Sequence, residues 1–548
     1  MYNKKLFGQK SDVISRRQFL QSAGVGSLGI MAGGFLPLLN PAARASDQNK
    51  LAETGFVPDL DIELKATAEE VPILPGKPTS VWQYKAKVHK GDSNRLIQLP
   101  RSYLGPIIKA NQGEKIRIRF NNQIPDESIV HWHGLHVPAV MDGHPRFVIP
   151  QGKEYIYEFE VRNRAGTYWY HPHPHGRTGP QVYGGLAGLF IVSDNEEKMV
   201  GLPSGGYDIP LVIQDRSFDN NNQLVYLSGH HMEQMTGFLG DRILVNGKPD
   251  FILPVATRAY RLRLLNGSNS RIYKMSWKDG SPMTVIGTDG GLLEKPVYRR
   301  HVMLGPGERV ELWADFSSYP VGSETALMSL PFDAGMMGNG GMGQGMMGGR
   351  MMGGGRMGQG MMGYSSALPN GARFSMFRVK VNRREKETLA LPEQFSTIKR
   401  YRASDAVNIG RHRRFRLVMR HMAWTINGRT FQMEAVANDE KVQMNTLEEW
   451  EFNNENGGMG MMGMMNMPHP IHLHGKQFQV LERRGVTHNG YVDEGWKDTV
   501  LLMPGERIKI LVHFGDYPGL FLYHCHNLEH EDMGMMRNYL IENTVTSA

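Results

Sequence analysis

Apolar and polar residues alternate with a period of two in short segments along most of the chain. Four of these segments are GEKIRIRF at 113–120, YRLRLL at 260–265, GERVELWADF at 307–316 and GERIKILVHF at 505–514. Such alternation predicts β-strands with one apolar and one polar face. Long stretches with helical periodicity are scarce, and turns rich in Gly, Pro and Asn separate the strands. The pattern therefore predicts an all-β protein.

Two histidine motifs recur in the same order in the first and last thirds of the chain. An H-x-H-G motif precedes a G-x-x-x-Y-H-x-H motif, first at 131–134 and 166–173 and again at 472–475 and 519–526. The middle third has neither motif, yet its segment ILVNGK at 243–248 resembles WTINGR in the last third. Internal similarity of this kind predicts repeated domains.

The repeat predicts three β domains, at residues 50–200, 205–385 and 400–548. The first and third carry the histidine motifs, and we expect the second to be a spacer that sets their mutual angle. Two segments rich in Gly and Met interrupt this layout, at 335–363 and 457–467. Because Gly has no side chain and is costly to order, neither segment can build a core, and both are predicted to be loops.

The first 45 residues have the features of an export signal. They hold six Lys or Arg and one Asp, and so supply +5 of the net charge of +8. The pair Arg16-Arg17 precedes a weakly apolar stretch, and small residues near Ala45 offer a cleavage site. The paired arginines resemble a twin-arginine signal, which predicts export to the periplasm by that machinery, a membrane anchor being the alternative. The remaining charge of about +3 is too scattered for nucleic-acid binding.

Four H-x-H pairs predict metal sites. Residues i and i+2 of a strand project from the same face, so each pair can direct two imidazoles at one place. Imidazole binds copper, zinc, iron or nickel, and eight imidazoles suffice for about three ions. In HPHPH, His173/His175 is an alternative pair, but the alignment with YHCH favours His171/His173. The four pairs are His131/His133, His171/His173, His472/His474 and His524/His526.

Cys525 is the single cysteine of the chain, which excludes an intramolecular disulfide. It lies between His524 and His526, so its sulfur projects from the opposite face of the strand to both imidazoles. A metal on the thiolate would then be joined by the backbone to the histidines on the other face. Two His, one Cys and a weak axial Met are the ligands of a blue-copper site, the alternative being a buried structural thiol. The candidates for the other three ligands are His469, His530 and Met535.

The motifs HWHG, YHPH, HPIHLHG and HCHNLEHEDMGMM resemble the four copper-binding motifs of the multicopper oxidases. With its leader and Met-rich segments, the chain is most similar to the bacterial periplasmic cuprous oxidases of that family. The resemblance implies three cupredoxin-like Greek-key β-barrel domains, four copper ions and reduction of dioxygen to water at a trinuclear cluster between the first and third domains. The implied ligands are His469, Cys525, His530 and Met535 for type 1 copper, His131 and His472 for type 2 copper, and His133, His171, His173, His474, His524 and His526 for the type 3 pair.

Reduction of dioxygen consumes protons, and two acidic residues are candidates for supplying them. Asp142 follows His131 by eleven residues and Glu531 follows His530 directly, and both match the proton-relay acids of the family. Acids beside copper can stay ionised and exchange protons through water. The alternatives are a turn residue, because Asp142 precedes a glycine, and a solvated Glu531. With Cys525, these two acids are the predicted catalytic residues.

The Met-rich segments predict Cu(I) as electron donor, because thioether sulfur prefers Cu(I) and flexible Met-Gly loops can pass the ion on. In the cuprous oxidases a carboxylate and methionines hold the substrate copper. Here no Asp or Glu lies between Glu455 and His469, where that acid is expected. The candidates to replace it are Met464, Met465, Met467 and Asp498.

Other functions are compatible with parts of the sequence. A laccase-type phenol oxidase or a ferroxidase would have the same copper centres. A copper-free relative, like the cell-division proteins of this fold, would lack ligands, and a copper-storage or chaperone protein would not need the trinuclear set. The complete set of ligands favours an oxidase. We expect a monomer whose partners are dioxygen and either Cu(I) or small organic donors.

Overall fold

The computed structural model describes residues 55–228, 231–335, 368–455, 466–486 and 488–543, apart from the side chains of 231 and 232. The predicted signal at 1–45 lies outside these residues, as do 336–363 and 457–465 of the two Met-rich segments. Strands make up nearly all the regular structure that is described. The prediction of an all-β protein is confirmed.

The helices of the described chain are short connections between strands. None of them is both long and apolar enough to cross a membrane. The α-helices are α1 (Thr178–Tyr183), α2 (Asn195–Val200), α3 (His231–Thr236) and α4 (Leu528–Asp532). The 3-10 helices are Ser93–Arg95, Ala139–Met141, Pro145–Phe147, Gly205–Tyr207, Ala403–Asp405 and Asn438–Glu440.

The strands between residues 60 and 193 form two sheets, which we call the first sheet pair. One sheet has the order β2-β1-β5-β7 and the other β3-β4-β9-β8-β6. Side chains of both sheets, such as Ile118 and Trp132, share one fully buried core. The strands are β1 (Leu60–Val71), β2 (Thr79–Lys90), β3 (Leu96–Ile97), β4 (Ile107–Asn111), β5 (Lys115–Asn122), β6 (Val130–His133), β7 (Glu154–Glu160), β8 (Gly166–Pro172) and β9 (Gly188–Ser193).

The second sheet pair spans residues 208 to 383. Its sheets have the orders β13-β12-β10-β15-β20-β17-β18, with β11 beside β10, and β14-β22-β21-β16-β19. The strands are β10 (Asp208–Phe218), β11 (Leu224–Val225), β12 (Arg242–Val245), β13 (Lys248–Pro249), β14 (Ile252–Ala256), β15 (Ala259–Asn266), β16 (Tyr273–Trp277), β17 (Met283–Thr288), β18 (Gly291–Arg299), β19 (Val302–Leu304), β20 (Arg309–Asp315), β21 (Glu324–Ser329) and β22 (Phe374–Arg383).

The third sheet pair spans residues 413 to 542. Its sheets have the orders β24-β23-β26-β30-β28 and β25-β32-β31-β27-β29. The strands are β23 (Arg413–Arg420), β24 (Ala423–Ile426), β25 (Lys441–Gln443), β26 (Thr446–Asn454), β27 (His469–Leu473), β28 (Phe478–Arg484), β29 (Thr499–Leu502), β30 (Arg507–Phe514), β31 (Gly519–Cys525) and β32 (Met536–Glu542).

All three sheet pairs share one topology. In one sheet, β1, β10 and β23 pair in parallel with β5, β15 and β26, which pair antiparallel with β7, β20 and β30. In the other, β4, β14 and β25 pair in parallel with β9, β22 and β32, which pair antiparallel with β8, β21 and β31. The repeat therefore extends to the middle of the chain, where the histidine motifs are missing.

The polar face of β15 differs from the prediction. The alternation in YRLRLL predicts that this face meets water, yet every residue of β15 is buried. Arg261 and Arg263 donate hydrogen bonds to Glu311 on β20, at 2.7 and 2.9 Å. Arg263 also donates to the hydroxyl of Thr167 on β8, at 3.2 Å. The face carries ion pairs within the second sheet pair and is covered by the first sheet pair, which periodicity alone cannot distinguish from a solvated surface.

Candidate metal centres

Antiparallel pairing brings the H-x-H pairs together in twos. In the first sheet pair, β6 and β8 place His131 opposite His171. In the third, β27 and β31 place His472 opposite His524. Since residues i and i+2 share a face, the second histidine of each pair lies on the same side. All eight imidazoles are fully buried, and we call them the inner histidine cluster.

The histidines of the first and third sheet pairs meet in this cluster. Nε2 of His131 lies 3.3 Å from Nε2 of His472. Nε2 of His524 lies 3.3 Å from Nε2 of His173 and 3.1 Å from Nε2 of His474. Two unprotonated ring nitrogens at this distance need a cation or a proton between them. Groups whose ligand atoms lie within 4.8 Å of one another are His131/His133/His171, His131/His472/His474 and His173/His474/His524.

Burial disfavours the charged form of seven of these imidazoles. Loss of hydration is the largest cause of the lowered pKa values of these seven, and neighbouring imidazoles lower most of them further. The pKa of His171 and that of His173 fall to about 3. A neutral imidazole offers the lone pair that a metal ligand requires. The pKa is also lowered for His131, His133, His472, His474 and His526.

Hydrogen bonds fix which nitrogen faces the cluster in several of these rings. Nδ1 of His131 donates to the carbonyl of Asp142, at 2.7 Å, and Nδ1 of His472 donates to the carbonyl of Asp498, at 2.9 Å. Their Nε2 atoms are thereby free to face each other. His133 is turned the other way, because its Nε2 lies 3.1 Å from Oδ1 of Asp498. Its Nδ1 is buried and has no partner in the described chain, which leaves it available to a metal.

The structure brings the two predicted acids, Asp142 and Glu531, into the inner cluster. Oδ2 of Asp142 accepts a hydrogen bond from Nδ1 of His474, at 2.7 Å. The carboxylate of Glu531 lies 3.1 Å from Nδ1 of His524 and 3.4 Å from Nε2 of His173. Burial raises the pKa of Asp142. Burial also opposes ionisation of Glu531, but His524 and His173 outweigh it and hold the pKa of Glu531 low.

A second group of donors lies on the other side of β31. The sulfur of Cys525 is 3.4 Å from Nδ1 of His469 and 3.7 Å from Nδ1 of His530. We call these three residues the thiol site, and all of them are fully buried. The ring of Trp424 packs against both imidazoles, with centroid distances of 4.7 and 5.1 Å. Met535 is buried in the same core, and its carbonyl accepts a hydrogen bond from the amide of Cys525.

The thiol site is suited to a cation. Burial raises the pKa of Cys525, so the surrounding protein alone does not favour a thiolate. Burial lowers the pKa of His530 to about 3 and that of His469 well below its ordinary value. A metal ion would stabilise the thiolate and bind both neutral imidazoles. One thiolate and two imidazoles are soft and intermediate donors that fit copper.

Adjacent residues of one strand connect the two sites. Cys525 belongs to the thiol site, and its neighbours His524 and His526 belong to the inner cluster. The ring of His526 lies 5.0 Å from that of His133 and 5.4 Å from that of His171, measured between centroids. The alternation of side chains along β31 thus places sulfur and imidazole donors on opposite faces, as the sequence predicted.

Asp498 does not lie where a ligand for substrate copper was expected. β29 pairs with β27 in a register that puts Asp498 beside His472 and away from His469. Its fully buried carboxylate accepts hydrogen bonds from Arg309, at 2.7 and 2.5 Å. Burial would raise the pKa of Asp498, but Arg309 and His133 hold it well below its usual range. The prediction is corrected: Asp498 orients the inner cluster and does not face solvent.

The other predicted positions are placed as follows. Met467 is buried in the core of the third sheet pair and is 3% exposed. Met464 and Met465 lie outside the described residues. His175, the alternative to His171, is exposed and packs against Phe431 at 4.8 Å between centroids, so it is not part of the inner cluster.

Sequence reasoning missed contacts that come from the second sheet pair and its connections. Arg309, on β20, reaches Asp498 beside the inner cluster. The carbonyl of Met235, in α3, accepts hydrogen bonds from Nε2 of His530, at 3.0 Å, and from Nε1 of Trp424, at 2.8 Å. The tripeptide GER occurs both at 307–309 and at 505–507, so no motif distinguishes Arg309 from Arg507. The expected spacer thus contributes directly to both sites.

Comparisons with known proteins agree with this geometry. Residues 80–197 and 409–545 match two family models, each described as multicopper oxidase. The multicopper oxidase mco of Staphylococcus aureus is 31% identical over 454 residues, which are 82% of this chain and 85% of that protein. The crystal structure of the McoA multicopper oxidase from Aquifex aeolicus is similar, with a TM-score of 0.72 and 32% identity, and the match covers 89% of this chain and 97% of that one.

Another similar protein is named as a cell division protein and not as an oxidase. Cell division protein FtsP of Sodalis glossinidius is 29% identical over 538 residues, which are 96% of this chain and 98% of that protein. Similarity of fold therefore does not by itself decide function, and the donors must do so. Here the buried imidazoles and the thiol form groups able to hold copper. Together with the relatives above 30% identity, they identify an oxidoreductase built from cupredoxin-like domains: the chain belongs to the multicopper oxidase family.

Proposed function

We propose that the protein is a cuprous oxidase, which oxidises Cu(I) and reduces dioxygen to water, and so contributes to copper tolerance. One observation carries the proposal: Cys525 of the thiol site and His524 of the inner histidine cluster project from opposite faces of β31, and His526 directly follows the end of this strand. Only the backbone between Cys525 and its two neighbouring histidines separates the sites. When bound, copper supplies one-electron oxidation of the donor at the first site and four-electron reduction of dioxygen at the second.

The donor atoms present fit this assignment of copper. In the inner cluster, the Nε2 atoms of His131 and His472 face each other, and Nδ1 of His133 has no hydrogen-bond partner among the described residues. We assign type 1 copper to His469, Cys525, His530 and Met535, type 2 copper to His131 and His472, and the type 3 pair to His133, His171, His173, His474, His524 and His526.

Two acids of the inner cluster can relay the protons that dioxygen reduction consumes. Burial favours the protonated form of Asp142, and its Oδ1 has no hydrogen-bond partner in the described chain. It can deliver a proton from this atom towards the cluster. Glu531 is kept ionised by His524 and His173, and can accept a proton at either oxygen. One acid that holds a proton and one that lacks it suit a relay that is reloaded from solvent.

The contacts that cover the thiol site favour a small electron donor. Both nitrogens of the His530 ring are engaged within the protein, because Nδ1 faces Cys525 and Nε2 donates to the carbonyl of Met235. A bulky phenol therefore cannot contact this ring without displacing α3. A metal ion needs no such contact if methionines pass it inward, and residues 335–363 and 457–467 are rich in methionine.

A laccase-type phenol oxidase is the second candidate, and a ferroxidase would share its copper centres. One observation favours it: Nε2 of His469 is buried without a partner among the described residues. The hydroxyl of a small organic donor that reached this atom could bond to it. Such a donor would not require methionine sulfur.

Oxygen uptake by the copper-loaded protein tests the proposal, with Cu(I) and with 2,6-dimethoxyphenol as donors. The variant replaces every methionine of 335–363 by leucine, which keeps length and apolar character but removes the sulfur. We expect kcat/KM for Cu(I) to fall at least tenfold while that for the phenol stays within twofold. Deleting 336–363 removes both the methionine sulfur and the bulk of the segment. We expect this deletion, unlike the leucine variant, to raise the rate with the phenol. If the leucine variant kept its rate with Cu(I), the laccase-type function would be favoured instead.

Export by the twin-arginine machinery, periplasmic location and a monomeric state belong to the same proposal. The composition of residues 1–45 supports export. Arg16→Lys with Arg17→Lys should retain the protein in the cytoplasm, which fractionation measures. Light scattering of the mature chain should give the mass of one copy.

A further inference from the structure

A cavity of about 370 Å³ opens where the first and third sheet pairs meet. Its walls come from the segments that follow β6 and β7, from the connection before the third sheet pair, and from the turns after β27 and β30. None of its lining residues belongs to the inner histidine cluster or to the thiol site. The volume lies within the range of sites that bind small molecules.

Cations outnumber acids on the cavity walls. Of four lining cations, Arg162 is paired with Asp516, which is the one carboxylate among the lining residues. Asp516 also lies 2.6 Å from Nε2 of His136. Arg164 is paired with Glu196, at 3.0 Å. These two arginines therefore have their counter-charges within the protein.

The other two lining cations, Lys399 and Lys476, have no counter-charge in the described part of the chain. For either ammonium group, the described part of the chain offers no carboxylate within 4.0 Å and no hydrogen-bond acceptor. Lys399 is exposed, but Lys476 is only 5% exposed. A lysine this deeply buried is normally paired, because removing its charge from water costs free energy that a partner must offset. Beside it, Nε2 of Gln477 is buried without an acceptor.

We propose that this cavity binds a small dianionic oxyacid, either phosphate or a dicarboxylate, through Lys476, Lys399 and Gln477. The oxygens of such an anion are the acceptors that the two ammonium groups and the amide lack. A dianion matches two unpaired positive charges. Trp496 adds an aromatic wall, against which the carbon chain of a dicarboxylate can pack. The bound anion would join segments of the first and third sheet pairs and thereby stabilise their contact.

Calorimetric titration of the copper-loaded protein tests the proposal. Inorganic phosphate and succinate are titrated separately at constant ionic strength, with acetate as a monoanion for comparison. We expect dissociation constants of about 1 mM or below for at least one dianion, and at least tenfold weaker binding of acetate. Binding of phosphate alone would indicate an inorganic ligand, and binding of succinate an organic one. Both results support an anion site.

Two charge-removing variants and one control assign the binding to this cavity. Lys476→Met and Lys399→Met should each weaken binding at least tenfold and abolish the rise in Tm that the dianion produces. Arg484→Met removes an exposed charge on β28 that lies outside the cavity, and should change affinity less than twofold. Because Lys399 is exposed, its replacement does not endanger folding. The proposal is overturned if neither dianion binds below 10 mM, if acetate binds equally well, or if both lysine variants bind as the wild type does.

Discussion

Arg309 donates hydrogen bonds from Nη1 and Nη2 to the two carboxylate oxygens of Asp498, at 2.7 and 2.5 Å. Both side chains are fully buried, and Oδ1 of Asp498 also lies 3.1 Å from Nε2 of His133. The second sheet pair thus supplies the charge that keeps Asp498 ionised beside the inner cluster. Because Asp498 orients His133, the arrangement of the cluster depends on a sheet pair whose described residues include none of the proposed copper ligands.

Replacing Arg309 by Met is expected to lower the free energy of unfolding by about 3–5 kcal/mol, because it leaves Asp498 buried without a counter-charge. Copper affinity of the inner cluster should fall by about 10–100-fold, since His133 loses its support. Urea unfolding of the copper-free protein and copper titration measure the two effects. Adding Asp498→Asn should recover part of the stability. A double variant no more stable than Arg309→Met would contradict this account.

Replacing Cys525 by Ser should remove the thiolate from the thiol site with little change in side-chain volume. Because the proposed electron path begins at this sulfur, we expect the intense visible absorption and the oxidase activity to disappear. Bound copper should decrease by one ion per chain, while the inner cluster stays filled. Metal analysis and visible spectra check this result, and unchanged circular dichroism would show an intact fold. Retained oxidase activity would refute the path.

Replacing Glu531 by Gln should slow the reaction with dioxygen by about 10²-fold, because general acid–base catalysis contributes effects of this size. Reduction of the thiol site by a donor under argon should be unaffected, and stopped-flow bleaching of the visible band measures it. Asp142→Asn should behave in the same way. Glu529→Gln is the matched control, since Glu529 is buried in the same helix but bonds to Tyr226, at 2.6 Å, rather than to histidines. Equal slowing in the control would count against a proton relay.

Replacing Trp424 by Phe should loosen the cover of the thiol site. The ring packing against His469 and His530 is kept, but the hydrogen bond to the carbonyl of Met235 is lost. Such a bond is worth about 1 kcal/mol, which corresponds to about fivefold in kcat/KM for a bulky phenol if opening of α3 limits access. The rate with Cu(I) should not change. Trp450→Phe is the control, because the indole of Trp450 bonds to Glu448 and not to α3; equal gains in both variants would contradict the prediction.

The parts of the site that the sequence predicted depend on local geometry. His131 and His133 share a face because they are two residues apart on a strand, and Cys525 takes the other face of its strand for the same reason. The repeated motifs also indicated that the two halves of the cluster belong together. These inferences need only the spacing of neighbouring residues, which the sequence contains.

The parts that the sequence could not predict depend on packing between distant segments. Asp498 was misplaced because strand register is set by the partner strand and not by distance along the chain. Arg309 and the carbonyl of Met235 reach the sites from the second sheet pair, where no motif marks them. The buried Arg263 shows the same limit, since it pairs with Asp208 on β10 and Glu311 on β20 and also bonds to Thr167 of the first sheet pair, contacts that no local spacing predicts.

The buried charges between the first and second sheet pairs predict acid lability. Burial alone would raise the pKa of Glu311, but Arg261 and Arg263 lower it from its ordinary value of 4.5 to about 2. A group whose pKa is lower in the folded state stabilises the fold above the unfolded value, and this contribution is lost as the pH falls towards 2. Glu311 therefore contributes about 3 kcal/mol at pH 7.

Glu311→Gln tests this contribution by removing the charge while keeping the size of the side chain. In urea unfolding at pH 7, we expect the variant to be less stable than the wild type by at least the linkage contribution of Glu311. At pH 3 the difference should be smaller by about 2 kcal/mol, because the unfolded chain then holds a proton at this position that most of the native carboxylate has released. Glu324→Gln, an exposed position on β21 paired with Arg378 and Lys380, should change stability by under about 1 kcal/mol at both pH values. A difference for Glu311→Gln that did not depend on pH would mean that packing, and not the two arginines, explains the stabilisation.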